Sequence, residues 1–151
     1  MSRLISRRLA WVYILVVTLL AVSGTMQMPI ASRYRIVAVP GLGWLGNFWL
    51  THKLHYLGAS LLLVLVGDLA TRWMLEWRRS HVLTPFGLTR AALVAGLILT
   101  GAVRVLKNLP NVSFSPEPIM LIDWTHLALA FLLGLLALAR RWTKASYLRP
   151  R

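Results

Sequence analysis

The stretch that decides the fold is THKLHYLG, residues 51–58, which opens a long apolar run and contains His52 and His55. A later histidine, His126, lies near the start of another apolar run. A histidine inside lipid-embedded sequence is costly and usually faces the interior of a helix assembly, where it has a partner. Two imidazoles that meet inside such an assembly indicate a site for a metal or a haem iron.

The composition is typical of a membrane protein. Of the 151 residues, 58% are apolar and 14% are charged, and the mean hydropathy is +0.66. A soluble domain carries about a quarter charged residues. Because one compact bundle fits this length, we expect a single membrane domain over residues 1–151 with the lipid bilayer as its solvent.

The charge balance is strongly basic, with 17 Lys and Arg, 4 Asp and Glu, and a net charge of +13. Such an excess can indicate nucleic-acid binding. Here the bases cluster at the ends of the apolar runs, as they do in membrane proteins, so we predict no nucleic-acid partner. The chain has no cysteine, which excludes disulfides and thiolate-ligated clusters.

Four apolar runs predict an all-α fold, a four-helix transmembrane bundle. The predicted helices cover about residues 10–28, 47–72, 86–106 and 119–140, each near the 20 residues that span a bilayer. Glycines and prolines separate them. The first run is long for a signal peptide, so it is interpreted as a transmembrane helix.

The distribution of bases predicts the orientation. Twelve of the 17 bases belong to one side: Arg3, Arg7, Arg8, Arg72, Arg78, Arg79, Arg90, Arg140, Arg141, Lys144, Arg149 and Arg151. The other five are Arg33, Arg35, Lys53, Arg104 and Lys107. The positive-inside rule then puts both termini in the cytoplasm, in a multi-pass protein of the bacterial inner membrane. The beginnings of helices two and four face the periplasm.

His55 and His126 are predicted to lie at one depth. They follow the predicted starts of helices two and four by about eight and about seven residues, which at about 1.5 Å per residue is nearly the same level. His52 lies three residues earlier, about 4.5 Å nearer water on roughly the same face. His52 is the alternative to His55 as an iron ligand. Its other predicted roles are to bind a haem propionate or to serve a proton path.

Three glycines and three cations belong to the same outer layer. Gly24, Gly58 and Gly101 are expected to leave room for a flat macrocycle between helices, although small residues also serve plain helix packing. The three cations are Lys53, Arg104 and Lys107. They are expected to neutralise haem propionates, with Arg104 the best placed, or else to reach the lipid headgroups as interfacial bases do.

The remaining ionisable groups receive simpler interpretations. Asp123 is expected to cap the start of helix four, with orientation of His126 as the alternative. Asp68 is expected to pair with Arg72, four residues later. His81 is interpreted as a solvated loop residue. The sequence contains no glycine-rich phosphate loop, HExxH motif or nucleophile elbow, so nothing indicates hydrolysis or group transfer.

Four short motifs resemble those of one known family. Residues 7–11 (RRLAW) are similar to the Arg-x-x-His-Trp sequence that opens the family's first helix. Ser23-Gly24 followed by Met28-Pro29 resembles the end of that helix. His55 with Gly58 is similar to the family's haem ligand and nearby glycine on helix two, and His126 resembles its first histidine on helix four. The family is the prokaryotic cytochrome b561 group, the membrane cytochrome b (gamma) subunits of formate dehydrogenases and nickel–iron hydrogenases.

The resemblance implies a one-haem variant of that family. In the family an outer haem takes ligands from helices two and four, which correspond to His55 and His126. An inner haem takes ligands at positions where this chain has Ala10 and about Arg140, neither of which ligates iron. The resemblance therefore implies one haem b near the periplasmic face.

The resemblance also implies partners. They are a periplasmic redox subunit (a cytochrome c or an iron–sulfur protein), other membrane subunits and the quinone pool. Either a quinone binds to the protein close to the outer haem, or the haem exchanges electrons only with periplasmic partners. The chain would be an electron-transfer subunit of an oxidoreductase complex rather than an enzyme alone. The alternative from another class is a cofactor-free scaffold subunit of a membrane complex.

Overall fold

A computed structural model of the chain describes residues 5–28, 31, 33 and 36–151, so that Arg3, Pro29 and Arg35 lie outside the described residues. The fold is all-α, with 77% of the chain helical. The four long helices are α1 (Arg7–Met26), α2 (Phe48–Leu75), α3 (Pro85–Leu106) and α4 (Pro116–Thr143). Each is long and apolar enough to cross a membrane. The predicted fold class is confirmed, and this set of helices is that of a multi-pass membrane protein.

The chain divides into two compact units. The first, Met1–Arg72, contains α1 and most of α2, and the second, Trp73–Arg151, contains α3 and α4. Short 3₁₀ turns lie at Ile36–Ala38, Gly43–Gly46 and Trp77–Arg79. Contacts between the end of α1 and the beginning of α2, and between the end of α3 and the beginning of α4, make each helix pair an antiparallel hairpin. We call these pairs the first hairpin and the second hairpin.

Polar caps and prolines set the helix starts. The Ser6 hydroxyl accepts from the Leu9 amide at 3.2 Å before α1. The Thr84 hydroxyl accepts from the Gly87 amide at 3.0 Å before α3, whose first residue is Pro85. Each interaction satisfies an amide that has no partner within the first turn of its helix.

Helix α4 is longer than predicted at both ends, because it begins at Pro116 rather than near Ile119 and ends at Thr143 rather than Arg140. The predicted helix, which starts near residue 119, leaves Pro116 and Pro118 in the preceding loop. Proline is compatible with the first turn of a helix, where its missing amide proton would have no intrahelical acceptor. The N-cap of α4 is Ser115, so the prediction that Asp123 caps this helix was wrong.

The second unit also contains a two-stranded ribbon that the sequence did not predict. Strand β1 (His81–Leu83) pairs antiparallel with β2 (Leu148–Pro150). His81 is therefore part of a strand rather than a loop, and its Nδ1 lies 2.9 Å from the Ser80 hydroxyl. The basic C-terminal tail thus folds back onto the segment that precedes α3.

Large apolar side chains of the helices are mostly exposed within the isolated chain. The buried apolar side chains among the described residues are Val16, Ala31, Leu45, Leu65 and Trp77. Such outward apolar surfaces are expected of helices whose solvent is lipid, because the bilayer drives no burial of leucine and valine. The informative contacts between the two helices of each hairpin are therefore the few polar ones.

Candidate functional site

His55 on α2 is held by α1 through its Nδ1 atom. This atom lies 3.0 Å from the Ser23 hydroxyl oxygen, and Ser23 is buried, with 2% of its surface exposed. Ser23 lies three residues before Met26, the last residue of α1. The contact therefore joins the end of one helix to the beginning of the next.

The Ser23 hydroxyl also bonds within its own helix. It donates to the Leu19 carbonyl oxygen at 2.7 Å, and in that state it is able to accept from the His55 Nδ1–H. In the tautomer with its proton on Nδ1, the lone pair of the ring is at Nε2, one of the two atoms through which a neutral imidazole ligates a metal.

Gly24 lets the His55 ring lie against the backbone of α1. A Cβ atom at this position would lie 3.2 Å from the His55 Cε1 and 3.5 Å from its Nδ1. The shorter of these distances is tighter than ordinary van der Waals contact. Gly24 thus makes room for the histidine ring, and its predicted role beside a macrocycle stays a prediction.

The second hairpin holds His126 in the same way. The His126 Nδ1 lies 2.8 Å from the Thr100 hydroxyl oxygen on α3. That hydroxyl donates to the Gly96 carbonyl oxygen at 2.7 Å, and in that state it is able to accept from the Nδ1–H tautomer of His126, whose lone pair is at Nε2. A Cβ atom at Gly101 would lie 3.5 Å from the His126 Cε1, in ordinary contact.

The two histidines therefore share one local arrangement. Each is held by a dipeptide of a hydroxyl residue and a glycine on the preceding helix, Ser23-Gly24 for His55 and Thr100-Gly101 for His126. We call these dipeptides the hydroxyl–glycine pairs. Each pair places a hydroxyl oxygen against Nδ1, the position of the outer hydrogen bond in a metal-ligating histidine.

His52 lies in a different environment. Its Nδ1 is 3.1 Å from the Gln27 Oε1, and the Gln27 amide nitrogen donates to the Ser23 carbonyl oxygen at 3.1 Å. Its ring stacks on Phe48 with a centroid distance of 5.4 Å and lies 4.4 Å from the Tyr56 ring. His52 is thus packed among aromatic rings, and the contacts that His55 and His126 share favour His55 as the counterpart of His126.

The predicted outer cations of the second hairpin are tied to an acid. The Arg104 Nε lies 2.8 Å from one Asp123 carboxylate oxygen, and the Lys107 Nζ lies 3.0 Å from the other. All three side chains remain partly exposed. Asp123 therefore orients two bases, while the Nδ1 of His126 contacts Thr100.

Two predicted site residues of the first hairpin lie elsewhere on α2. Lys53 is exposed. Gly58 is buried, and a Cβ atom there would lie 3.1 Å from the Leu20 Cγ, so this glycine allows close packing of α1 on α2. The predicted pair of Asp68 and Arg72 is confirmed at 2.8 Å.

The residues that sequence reasoning missed are the hydroxyl partners of the histidines. Ser23 and Thr100 look like ordinary small helix residues, since a hydroxyl inside a helix usually bonds to a carbonyl one turn back. The available signal was the recurrence of a hydroxyl residue followed by glycine near the outer ends of helices one and three. Only the antiparallel pairing of the helices shows that each faces a histidine.

Within the described ranges, no group of three or more His, Asp or Glu side chains is placed to hold a bare metal ion. In comparisons with known proteins, no protein-family model, no curated protein and no solved structure matches this chain. The resemblance to the cytochrome b561 group therefore stays a prediction that depends on the quoted motifs.

Proposed function

We propose that the chain is a membrane cytochrome b subunit with one haem b, ligated by His55 and His126 near the periplasmic face. It relays electrons between a periplasmic redox partner and the quinone pool and anchors a larger complex. The partner is a cytochrome c or an iron–sulfur protein, and the membrane is the bacterial inner membrane. The haem supplies the electron-carrying chemistry, and the protein supplies ligands, orientation and electrostatics.

The observation that carries the proposal is the matched surroundings of the two imidazoles. Each has a hydroxyl oxygen against its Nδ1, and that hydroxyl donates to a carbonyl oxygen of its own helix. Such a hydroxyl accepts from Nδ1–H when Nε2 ligates iron. Haem supplies four equatorial nitrogens of its own and needs two axial ligands from the protein. A pair of imidazoles without a third ligand therefore fits haem better than a bare metal ion.

The charges near His126 also fit a haem. Arg104 and Lys107 share the single carboxylate of Asp123, which leaves this cluster of three side chains with one net positive charge. Haem propionates are anionic, and a partly exposed base can neutralise one of them. Arg104 keeps the role predicted from the sequence, together with Lys107, and Lys53 stands as a third candidate.

Pigment analysis of the purified chain tests the proposal. The protein in detergent is expected to contain about one haem and one iron per chain, with the reduced spectrum of a six-coordinate haem b. His55→Ala and His126→Ala each remove one proposed iron ligand. We expect each to lower haem content by at least the roughly tenfold that loss of a ligand's outer hydrogen-bond partner costs in metal affinity.

Matched histidine variants provide the controls. His81→Ala removes an imidazole from β1, outside the predicted spans, and is expected to keep full haem content. His52→Ala decides between the candidate ligands of α2, because retention of haem in this variant assigns the ligand to His55. A purified wild-type chain without porphyrin or iron would overturn the proposal.

The alternative is a cofactor-free scaffold subunit. The observation that favours it is that each hydroxyl–imidazole contact also ties two helices together, as polar side chains do in membrane helix assemblies. In that case the histidine variants weaken the hairpins without any change of pigment. The spectrum of the wild-type protein separates the two functions in one measurement.

A further inference from the structure

We infer that Ser23 and Thr100 are positioning residues that set the reduction potential of the proposed haem, through the Nδ1 protons of its two ligands. The inference rests on the proposed function, since it concerns the same site. Its first support is the pair of contacts, 3.0 Å for Ser23 with His55 and 2.8 Å for Thr100 with His126. Neither hydroxyl residue touches the haem in the proposal, and each acts through a histidine.

The direction of the effect follows from the hydrogen bond. An acceptor at Nδ1–H makes the imidazole a stronger donor at Nε2. A stronger donor stabilises ferric iron, which has the higher charge, more than ferrous iron, and so lowers the reduction potential. Loss of either hydroxyl is therefore expected to raise the potential.

The chemical type of the acceptor limits the size of the effect. Each hydroxyl is neutral and also donates to a backbone carbonyl oxygen, that of Leu19 for Ser23 and that of Gly96 for Thr100. Hydrogen bonds to ionised acceptors are roughly twice as strong as neutral ones. The two ligands are thus expected to stay neutral imidazoles, each with a hydrogen bond from Nδ1–H to a neutral hydroxyl.

The two hydroxyl residues differ in how tightly they are enclosed. Ser23 is buried at 2% exposure, whereas Thr100 is half-buried. Removal of the Ser23 hydroxyl takes away a hydrogen bond at a buried position that water does not easily reach, and such a loss is costly. We therefore expect Ser23→Ala to loosen haem binding as well as to shift the potential, and Thr100→Val to shift the potential at nearly full haem content.

The experiment is a redox titration of detergent-purified, haem-loaded protein and its variants. Ser23→Ala and Thr100→Val are each expected to raise the equilibrium constant for reduction about threefold, the scale of one neutral hydrogen bond. At 59 mV per tenfold for one electron, this is a shift of about +30 mV. The double variant is expected to shift by about twice that amount.

Conservative variants and helix-matched controls separate tuning from general damage. Ser23→Thr and Thr100→Ser keep a hydroxyl and are expected to restore the wild-type potential. Thr25→Val on α1 and Thr89→Val on α3 remove hydroxyls that bond to carbonyl oxygens one turn back, at 2.8 Å and 3.0 Å. These two controls are expected to leave the potential unchanged.

The outcomes distinguish this inference from the proposed function. Haem-loaded Ser23→Ala and Thr100→Val with the potential of their controls overturn the tuning role and leave the cytochrome intact. A wild-type chain without haem overturns the cytochrome itself. If Ser23→Ala does not accumulate in membranes, Thr100→Val carries the test alone, because valine keeps the shape of threonine.

Discussion

At the scale of single residues, each candidate ligand of the proposed site has a hydroxyl rather than a carboxylate in contact with its Nδ1. A carboxylate is a common partner of a metal-ligating histidine, but an ionised residue inside a membrane span is costly. A serine or threonine whose proton is bonded to its own helix accepts a hydrogen bond without that cost. The hydroxyl–glycine pairs thus suit ligands that lie within apolar helices.

The first prediction concerns the two glycines of these pairs, which differ in the space beside them. An alanine Cβ would lie 3.2 Å from the His55 ring at Gly24 and 3.5 Å from the His126 ring at Gly101. Gly24→Ala should therefore lower the free energy of unfolding by about 1–3 kcal/mol through overpacking. Gly101→Ala should raise the free energy of unfolding by about 0.5–1 kcal/mol, because alanine restricts the unfolded chain more than glycine does.

Thermal unfolding of the purified variants in detergent measures both effects. Gly67→Ala is the matched control, since nothing lies within 4 Å of its Cβ position, and its melting temperature should rise like that of Gly101→Ala. Equal melting temperatures for Gly24→Ala and Gly101→Ala would contradict the close approach of His55 to α1.

At the scale of elements, the two hairpins have the same hydroxyl–histidine contact, but its distance from the joined helix ends differs by about one helical turn. Ser23 and His55 lie three and seven residues from the ends of α1 and α2 at which the helices are joined. Thr100 and His126 lie six and ten residues from the corresponding ends of α3 and α4. Both helices of the second hairpin thus extend three residues further, about 4.5 Å.

A glycine–leucine contact follows each histidine. In the first hairpin a Cβ atom at Gly58 would lie 3.1 Å from Leu20. In the second a Cβ atom at Gly96 would lie 2.9 Å from Leu129. In the first hairpin the glycine is on the helix that contains the histidine, and in the second it is on the helix that contains the hydroxyl residue. Both hairpins therefore pack their helices closely through a glycine, but the glycine is on opposite members of the pair.

The sequence predicted the four helices because each apolar run is long enough to span a bilayer on its own. It failed at the start of α4, where Pro116 begins the helix. It also failed at the ribbon, because β1 and β2 have three residues each and are joined only by pairing across 64 intervening residues. Both histidines could be singled out from the sequence, whereas their hydroxyl partners depend on helix pairing that no local pattern encodes.

The next prediction concerns the attachment of the C-terminal tail. The Arg90 and Arg140 guanidinium groups each lie over the Tyr147 ring, at 4.4 Å and 4.3 Å from its centroid. A Cβ atom at Gly87 would overlap the Tyr147 carbonyl oxygen, and a backbone atom cannot move away cheaply. Gly87→Ala should therefore displace the tail from α3, at a cost of about 1–3 kcal/mol.

Limited trypsin digestion measures this displacement. Cleavage after Lys144 should become about tenfold faster in Gly87→Ala, since local opening exposes the tail. Gly134→Ala is the control, because its Cβ position has nothing within 4 Å, and its cleavage rate should match the wild type. An unchanged rate in Gly87→Ala would show that the ribbon does not depend on this close approach.

At the scale of the whole molecule, the charge distribution predicts how the chain crosses the membrane. The basic residues on the predicted inner side outnumber those on the predicted outer side by 12 to 5. The β ribbon and the Tyr147 contacts belong to the end of the second unit that contains the C-terminus. The loop that follows α3 belongs to its opposite end, together with Arg104, Lys107 and Asp123.

The last prediction is that both termini face the cytoplasm and the loop between α3 and α4 faces the periplasm. Because the chain has no cysteine, single cysteines report on orientation without background. A membrane-impermeant maleimide should label Ser113→Cys in bacterial cells whose inner membrane is intact, and should label Arg151→Cys only after that membrane is opened. The wild-type chain should take no label in either case. Labelling of Arg151→Cys before the inner membrane is opened would invert the orientation and place the proposed haem near the cytoplasm, where a periplasmic electron donor could not reach it.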